Sequence, residues 1–272
     1  MLVDAVIMAS IYDKIGKEYD TTRKVDPQIL STLASLLGVE DGQRYLDIAC
    51  GTGNYAIELA ASGGKWFAFD HSEKMLAQAR SKSTLIDWRQ YDVAQLGYED
   101  NFFDAAICTL AIHHFPDLDI AFREIARVLK PDGKLVIFTA TPAQMKGYWL
   151  NRYFPQMMAG SCEEMPAFDA IRETLSRVNF SIESIQPFFI GPDLQDFFLY
   201  SGKQRPEMYL SSRVRNGISS FHKFCSDTEL TRGLDQLRKD IDSGTIKGNM
   251  QKYESEIGDY LFVSALKGVG DK

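Results

Sequence analysis

The chain has 272 residues, of which 45% are hydrophobic, and its formal net charge is −7 at pH 7. A chain of this length and apolar content can bury a substantial core, in one large domain or in one domain with a lid. The negative charge, together with the lack of any block of Lys or Arg in the sequence, argues against a polyanionic partner such as nucleic acid.

No run in the sequence approaches the roughly 18 apolar residues that a membrane-spanning helix needs, and the N-terminus carries Asp4 and no signal-like cleavage site. The four cysteines are widely spaced, which matches neither a zinc-binding nor a CxxC pattern and indicates a reducing compartment. We therefore expect a soluble, cytoplasmic protein that acts away from membranes, without a bound metal, as a monomer or homodimer.

Helix-like and strand-like segments alternate along the chain, beginning with a helix that Asp26 and Pro27 start and Gly38 ends. This alternation is typical of an α/β protein with a doubly wound, mostly parallel sheet. In such sheets ligands bind outside the carboxyl ends of the strands. Strands are predicted near 44–49, 65–70, 85–91, 104–110 and 134–139, and helices near 54–62, 73–82 and 118–129.

The second half of the chain adds a strand pair and a helical segment. After a helical stretch through residue 178, strands are predicted at Phe180–Ile190 and Gly258–Lys267, and the residues between them are mostly helical. We expect a core of residues 1–190 and 258–272, with a helical insertion at 191–257. Aromatic side chains concentrate in this insertion and in residues 142–165, which favours an apolar or aromatic ligand over a highly charged one.

The most informative segment is Asp47-Ile48-Ala49-Cys50-Gly51-Thr52-Gly53-Asn54, which follows a strand-like run and precedes a helix-like one. Gly51 and Gly53 allow a sharp turn that brings the backbone close to a ligand, as in nucleotide-type cofactor sites. The glycines also satisfy the looser dinucleotide pattern. Asp47 favours S-adenosylmethionine, because a carboxylate there would repel a pyrophosphate but accept a charge-assisted hydrogen bond from an ammonium group.

Two further acids follow predicted strands. Asp70 ends the second strand, where an adenosine ribose presents its hydroxyls in folds of this kind. Asp92 ends the third strand, where its side chain can accept from an adenine amino group while the amide of Val93 reaches a ring nitrogen. An Asp at a strand end is also a common helix cap or turn former, and that alternative stays open for Asp92.

The order of the segments DIACGTGN, FAFDHSEKML, QYDVAQL, FDAAICTLAIHHF and REIARVLKPDGKLVIF, within residues 40–140, resembles class I S-adenosylmethionine-dependent methyltransferases. The resemblance is to their small-molecule and quinone-type group. It implies a Rossmann-like, seven-stranded, mostly parallel sheet with a reversed edge strand, and it places the insertion over the methyl acceptor. It also implies S-adenosylmethionine as cofactor, S-adenosylhomocysteine as product, and O-, N- or C-methylation of a small molecule.

The resemblance further assigns residues to the cofactor. Met75 matches the apolar residue that packs on adenine, and Leu110 matches the residue whose carbonyl faces the ammonium group. Tyr19 and Arg23 belong to a segment, Tyr12–Arg23, similar to one that closes over the methionine end, where a guanidinium can bind the carboxylate with two hydrogen bonds. The predicted cofactor-binding residues are Tyr19, Arg23, Asp47, Ala49, Gly51, Gly53, Asn54, Asp70, His71, Met75, Asp92, Val93 and Leu110.

Two histidines directly after the fourth strand are the candidate catalytic residues. A hydroxyl or protonated amine acceptor requires a base, and the imidazole of His113 or His114 titrates in the useful range. Alternatively, one histidine caps the following turn and the other packs under the cofactor. Two other functions stay open: an NAD(P)-dependent oxidoreductase, and a noncatalytic S-adenosylmethionine-binding protein that docks a partner through its helical cover.

Overall fold

The structure, a computed structural model, describes residues 19–269, with side chains from residue 20 onward. Within this range seven strands form one sheet. The strands are β1 (Arg44–Ile48), β2 (Lys65–Asp70), β3 (Asp87–Gln90), β4 (Phe103–Thr109), β5 (Leu129–Thr139), β6 (Phe180–Phe188) and β7 (Tyr260–Lys267).

The strands lie side by side in the order β3-β2-β1-β4-β5-β7-β6. All pairs from β3 to β5 are parallel, whereas β7 runs antiparallel to both of its neighbours. The reversed strand therefore lies one position in from the edge, which β6 forms. These features confirm the predicted Rossmann-like, mostly parallel sheet with one reversed strand on its β6 side. The strand order reverses direction between β1 and β4, which is where ligands bind in open α/β sheets.

Helices flank this sheet and fill the second half of the described chain. The helices before β6 are α1 (Tyr19–Thr22), α2 (Pro27–Leu37), α3 (Asn54–Ala60), α4 (Glu73–Lys82), α5 (Leu118–Val128), α6 (Pro142–Met145), α7 (Leu150–Tyr153), α8 (Pro155–Glu164) and α9 (Phe168–Arg177). Those between β6 and β7 are α10 (Ser212–Asn216), α11 (Ser219–Lys223), α12 (Asp227–Asp242) and α13 (Thr245–Gln251). Short 3₁₀ helices occur at Ile112–His114 and Pro206–Leu210. Within the described range no helix is long and apolar enough to cross a membrane.

Helix α2 begins and ends at the residues predicted from the sequence. Asp26 precedes the helix and its side chain accepts hydrogen bonds from the amides of Gln28 and Ile29, which would otherwise lack partners. Pro27 occupies the first position, and Gly38 ends the helix at a φ of 65°, a conformation that costs glycine little. Local sequence therefore defines both ends of this helix.

Some strand boundaries differ from those predicted. β3 starts at Asp87 instead of 85, because Leu85 lies in a turn, 85% exposed, with its amide bonded to Ser83 Oγ. β5 starts at Leu129, directly after α5, and its ladder is interrupted before Lys134. Asp132 has a φ of 60° in that interruption. β6 and β7 are each two residues shorter than predicted, at the end where they connect to the insertion.

Two hydrophobic clusters cover the faces of the sheet. One includes Phe122 and Ile125 of α5 and Leu175 of α9. The other joins side chains of α2 and α3 to those of residues 142–165 and 191–257, such as Tyr148 and Tyr209. The residues of the predicted insertion thus share a continuous core with the sheet. This packing holds them beside the carboxyl ends of β4 and β5.

Candidate functional site

A cleft of about 340 Å³ lies at the carboxyl ends of β1, β2 and β4. It brings together most of the residues predicted from the sequence. Its lining includes Arg23, Asp47, Ala49, Gly51, Asn54, Asp70, His71, Met75, Asp92, Val93, Leu110, His113 and His114. Gly53 is not among its lining residues, and the side chain of Tyr19, like residues 12–18 of the N-terminal segment, lies outside the part that the structure describes.

Asp70 holds the first glycine of the turn. Its Oδ2 accepts the amide of Gly51 at 2.8 Å, and its Oδ1 accepts the amide of Ser72 at 2.8 Å. Gly51 has a φ of 56°, and a Cβ built on it would meet nothing within 4 Å, so this backbone faces the open cleft. Burial raises the pKa of Asp70, while the two amides act to lower it. The arrangement leaves room for a ligand to approach the turn closely.

Packing against Trp88 explains the second glycine of the turn, Gly53. A Cβ built on Gly53 would lie 2.2 Å from Cη2 of Trp88, a side chain of β3. The φ of Gly53 is 75°, so a side chain there would also strain the backbone. In this structure glycine is needed at position 53 so that helix α3 can start against the ring of Trp88. The contact explains the residue without a ligand.

Asp47 places a buried carboxylate in the cleft. It is 1% exposed, and its Oδ1 has no hydrogen-bond partner among the described residues. Burial, and secondarily the charge of Asp70, raise the pKa of Asp47 well above its ordinary value. A buried carboxylate oxygen without a partner is costly, and a bound cation would supply one. The residue therefore fits the ammonium group of S-adenosylmethionine.

The backbone is strained on both sides of the point where the strand order reverses. Ala49 follows β1 with a φ of 54°, and Leu110 follows β4 with a φ of 53°. Such left-handed conformations cost residues with a Cβ about 1 kcal/mol or more and concentrate at functional sites. The amide of Leu110 donates to the carbonyl of Phe138 at 2.7 Å, which helps to hold it. Both residues line the cleft.

The predicted adenine side of the cleft is a wall of buried apolar and exposed polar groups. Met75 and Val93 are 2% and 8% exposed. Ser72 caps helix α4, and its hydroxyl oxygen accepts the amide of Met75 at 3.3 Å. Asp92 is exposed, and its Oδ1 accepts the amide of Ala94 at 2.9 Å. Asp92 therefore forms a turn, the alternative left open above, while its side chain still borders the cleft.

The side chain of Asn54 contacts the N-terminal segment of the chain. Its Nδ2 donates to Asp20 Oδ1 at 3.1 Å and to the carbonyl of Arg23 at 2.7 Å. Thr52 donates to the same Asp20 oxygen at 2.6 Å, and Lys82 Nζ contacts Asp20 Oδ2 at 2.9 Å. Although burial acts to raise it, these hydrogen bonds hold the pKa of Asp20 below its usual value. Asn54 thus fastens helix α1 to the glycine turn.

Arg23 lines the cleft and is paired with a residue of the insertion. Its Nε lies 2.5 Å from Oδ1 of Asp196, which is 2% exposed. Tyr55 Oη donates to the other oxygen of Asp196 at 3.2 Å. Sequence reasoning missed Asp196, since 173 residues separate it from Arg23 and no local motif marks it.

The two candidate catalytic histidines form a 3₁₀ helix directly after β4. Their ring centroids are 3.8 Å apart, and Nδ1 of His113 has no hydrogen-bond partner among the described residues. Burial, followed by the charges of Lys223 and Arg23, lowers the pKa of His113 to about 4. Burial and the neighbouring His113 lower the pKa of His114 well below its ordinary value. Both rings are therefore neutral at pH 7, and a neutral imidazole can accept a proton. The expectation that these rings titrate in the useful range is wrong, because burial lowers the pKa of both and makes each a weaker base than a free imidazole.

A second cavity of about 90 Å³ adjoins the cleft and shares Arg23, Leu110, His113 and Glu164 with it. Helices α8 and α11 and the segment around 198–199 supply much of its wall. Glu164 of α8 is ion-paired with Lys223 of α11, which joins the two covering helices. The remaining lining residues are Ala140, Met145, Ser161, Met165, Phe198, Leu199, Gly217, Ile218, Ser219, Ser220 and Tyr260. The wall of the cavity is thus more apolar than polar, and it includes hydroxyl groups, the imidazole of His113 and the charged Arg23 and Glu164.

The sequence around this site is similar to sequences of known methyltransferases. A family model described as a methyltransferase domain matches residues 46–137. The chain is 28% identical over 151 residues to demethylmenaquinone methyltransferase of Bacillus mycoides (strain KBAB4), covering 51% of this chain and 64% of that one. It is 33% identical over 139 residues to the protein of the same name from Corynebacterium glutamicum (strain R), covering 49% and 60%. The chain thus spans less than two thirds of the length of these curated relatives.

Comparison with solved structures extends the similarity beyond the glycine turn and its sheet. A crystal structure from Anabaena variabilis ATCC 29413, provisionally named a methyltransferase from an antibiotic biosynthesis pathway, matches with a TM-score of 0.79 and 30% sequence identity. That match covers 89% of this chain and 98% of the other. The [4+2]-cyclase SpnF shares the fold at a TM-score of 0.59 and 21% identity, a similarity that shows the fold alone.

Proposed function

Because the chain belongs to the class I S-adenosylmethionine-dependent methyltransferase family, we propose that it methylates the oxygen, nitrogen or carbon of a small, partly apolar or aromatic molecule. Family membership rests on the methyltransferase-domain match and on the 30% identity to the Anabaena structure. The observation that carries the proposal is the unpartnered oxygen of Asp47 in a cleft that adjoins a mainly apolar cavity.

In this proposal, different residues of the cleft bind different parts of the cofactor. Asp47 binds the ammonium group, Arg23 the carboxylate and Asp70 the ribose hydroxyls. Met75 and Val93 pack on adenine, beside Asp92. The strained backbone at Ala49 and Leu110 brings main-chain groups to the methionine end. Tyr19, His71, Gly51, Gly53 and Asn54 complete the proposed set, the last two by shaping the turn.

When bound, S-adenosylmethionine supplies a methyl group on a sulfonium sulfur, which is a good leaving group. The residues of the chain then have to align the acceptor and exclude water, and alignment alone can supply about 7 to 11 kcal/mol of the barrier. His113 lies at the junction of both cavities, where its neutral imidazole can accept a proton from the acceptor. His114 packs against it and is the alternative base.

The second cavity is the proposed acceptor site. Residues 191–257, together with 142–165, form its cover, and the remaining chain forms the cofactor-binding core. The apolar lining of the cavity supports an apolar or aromatic acceptor. The curated relatives carry the name demethylmenaquinone methyltransferase, which supports a quinone-type ring for this chain as well.

The alternatives have less support. A nicotinamide dinucleotide would place its pyrophosphate at the glycine turn, beside the buried Asp47 and the partly exposed Asp70, where like charges repel. The other alternative is a noncatalytic S-adenosylmethionine-binding protein that docks a partner through its helical cover. The comparisons described above support neither alternative.

Transfer of a labelled methyl group tests the proposal. The purified protein is incubated with methyl-labelled S-adenosylmethionine and a cell extract separated into small-molecule and macromolecular fractions, with Asp70→Ala as the binding-deficient control. We expect label in an apolar small molecule, and its loss in the variant. Label only on protein or nucleic acid, or cofactor binding without any transfer, would contradict the proposed acceptor class or the proposed catalysis.

A further inference from the structure

A buried ion pair joins the cofactor cleft to the helical insertion. Arg23 Nε lies 2.5 Å from Asp196 Oδ1, and Arg23 Nη2 lies 3.4 Å from Asp196 Oδ2. The Asp196 side chain is 2% exposed and that of Arg23 17%, so water screens the pair weakly. Under these conditions a charge-assisted hydrogen bond is strong and directional. The carboxylate of Asp196 therefore fixes the orientation of the guanidinium.

Further contacts hold Asp196 in place. Tyr55 Oη donates to Asp196 Oδ2 at 3.2 Å from helix α3, the helix that follows the glycine turn. The amide of Phe197 donates to the carbonyl of Thr22 at 2.9 Å, and Arg23 and Asp196 form an antiparallel bridge. Backbone and side-chain contacts thus join residues 22–23 and 196–197 into one unit.

This unit lies between the two cavities. Asp196 and Tyr55 line the cofactor cleft, and Phe198 and Leu199, which follow in the chain, line the second cavity. Arg23 lines both. The same short segment of the insertion therefore shapes the wall of the proposed acceptor site and touches a residue proposed to bind the cofactor.

We propose that Asp196 is a positioning residue, through which the insertion orients Arg23 toward the methionine carboxylate of S-adenosylmethionine. The proposal rests on the proposed function, because it requires that the cleft bind this cofactor and that Arg23 contact its carboxylate. Asp196 acts through Arg23 alone, so only ligands that carry the amino-acid end of the cofactor respond to its loss. The part of the chain that covers the acceptor thereby also sets the affinity for the cofactor.

Binding of two related ligands tests this role. S-adenosylhomocysteine carries the amino-acid end, and 5′-methylthioadenosine lacks it. Dissociation constants for both are measured by titration calorimetry with the wild type, Asp196→Asn and Tyr55→Phe. Asp193→Asn, in the same segment but exposed, is the matched control for the charge change. We expect Asp196→Asn to weaken S-adenosylhomocysteine about tenfold, with a smaller loss in Tyr55→Phe, and 5′-methylthioadenosine to change less than about twofold.

The other possible results distinguish a failure of the positioning role of Asp196 from a failure of the proposed function. An equal loss for both ligands, or no loss for S-adenosylhomocysteine, would overturn the positioning role and leave the proposed function intact. A wild type that binds neither ligand would overturn both. Circular dichroism checks the fold of each variant, and Tyr55→Phe carries the test if Asp196→Asn does not fold. Restored selectivity for S-adenosylhomocysteine in Asp196→Glu would support a role for the charge.

Discussion

Asp70 Oδ2 accepts the backbone amide of Gly51 at 2.8 Å, so the end of β2 holds the turn that follows β1. The other oxygen of the same carboxylate accepts the amide of Ser72, at the start of helix α4. One side chain thus fixes two neighbouring connections at the point where the ligand is proposed to bind. Because a carboxylate has further lone pairs, Asp70 can still accept hydrogen bonds from ribose hydroxyls.

Replacing Asp70 by alanine removes its hydrogen bonds to the two backbone amides and its proposed contact with the ribose. We expect Asp70→Ala to weaken S-adenosylhomocysteine binding by about 10- to 100-fold, since hydrogen bonds to a charged group contribute about 1.5 to 3 kcal/mol. Titration calorimetry measures the effect, with Asp193→Ala as an exposed control. Wild-type affinity in Asp70→Ala would exclude the contact with ribose.

Replacing Asp47 by asparagine should change the stability of the protein and its affinity for the cofactor in opposite directions. Burial and Asp70 raise the pKa of Asp47 in the folded protein, so its contribution to stability is lost as pH rises from its unfolded pKa through the folded pKa. Asparagine does not ionise, so Asp47→Asn should raise the melting temperature of the ligand-free protein, more at pH 8 than at pH 5. The same change should weaken S-adenosylhomocysteine, because the ammonium group loses its charged partner. A less stable variant with unchanged affinity would contradict this account.

The contact between Gly53 and Trp88 predicts unequal effects of the same substitution at two glycines. Gly53 and Gly38 both have positive φ, at 75° and 65°, so alanine strains either by about 1 kcal/mol. At Gly38 a Cβ meets nothing within 4 Å, whereas at Gly53 it meets the Trp88 ring. We expect Gly53→Ala to reduce the free energy of unfolding by about 1 to 3 kcal/mol more than Gly38→Ala, in urea titrations. Equal losses would show that the ring moves aside freely.

His113 should affect turnover more than cofactor binding. If it removes a proton from the acceptor, His113→Asn lowers kcat by about 10²-fold or more and leaves the affinity for S-adenosylhomocysteine nearly unchanged. Because the pKa of His113 is lowered to about 4, the ring stays neutral above pH 5, and its protonation should not reduce wild-type activity between pH 5 and 8. The exposed His222→Asn variant of α11 is the control. Unchanged kcat in His113→Asn would exclude this residue as the base and leave His114.

The sheet and most of the cleft could be predicted because their signals are local. The run before Gly51 is apolar, the turn carries glycines, and an acid lies near the end of each of three strands. Each motif therefore lies within about ten residues of the element it ends. Parallel strands then bring these ends to one edge of the sheet without further information. This is why Asp47, Asp70, Asp92 and Leu110 line one cleft.

The rest depends on contacts between distant residues, which one sequence does not reveal. Asp196 reaches Arg23 across 173 residues, and Asp20 reaches Asn54 across 34. The role of Gly53 likewise depends on Trp88, a residue of another strand. Asp196 belongs to the insertion, where no motif marks a function, and nothing in the sequence around Asp20 or Trp88 indicates the contacts that these residues make. Such contacts can be identified only from the folded structure.

The most direct test of the central claim is the shift of the melting temperature with ligand. A ligand that binds the folded state at 100 times its dissociation constant stabilises the protein by about 2.7 kcal/mol, or about 5 °C for a chain of this size. The account predicts such a shift with S-adenosylhomocysteine, a reduced shift with it in Asp47→Asn, and none with NAD or NADP. A shift with NAD or NADP and none with S-adenosylhomocysteine would contradict the account.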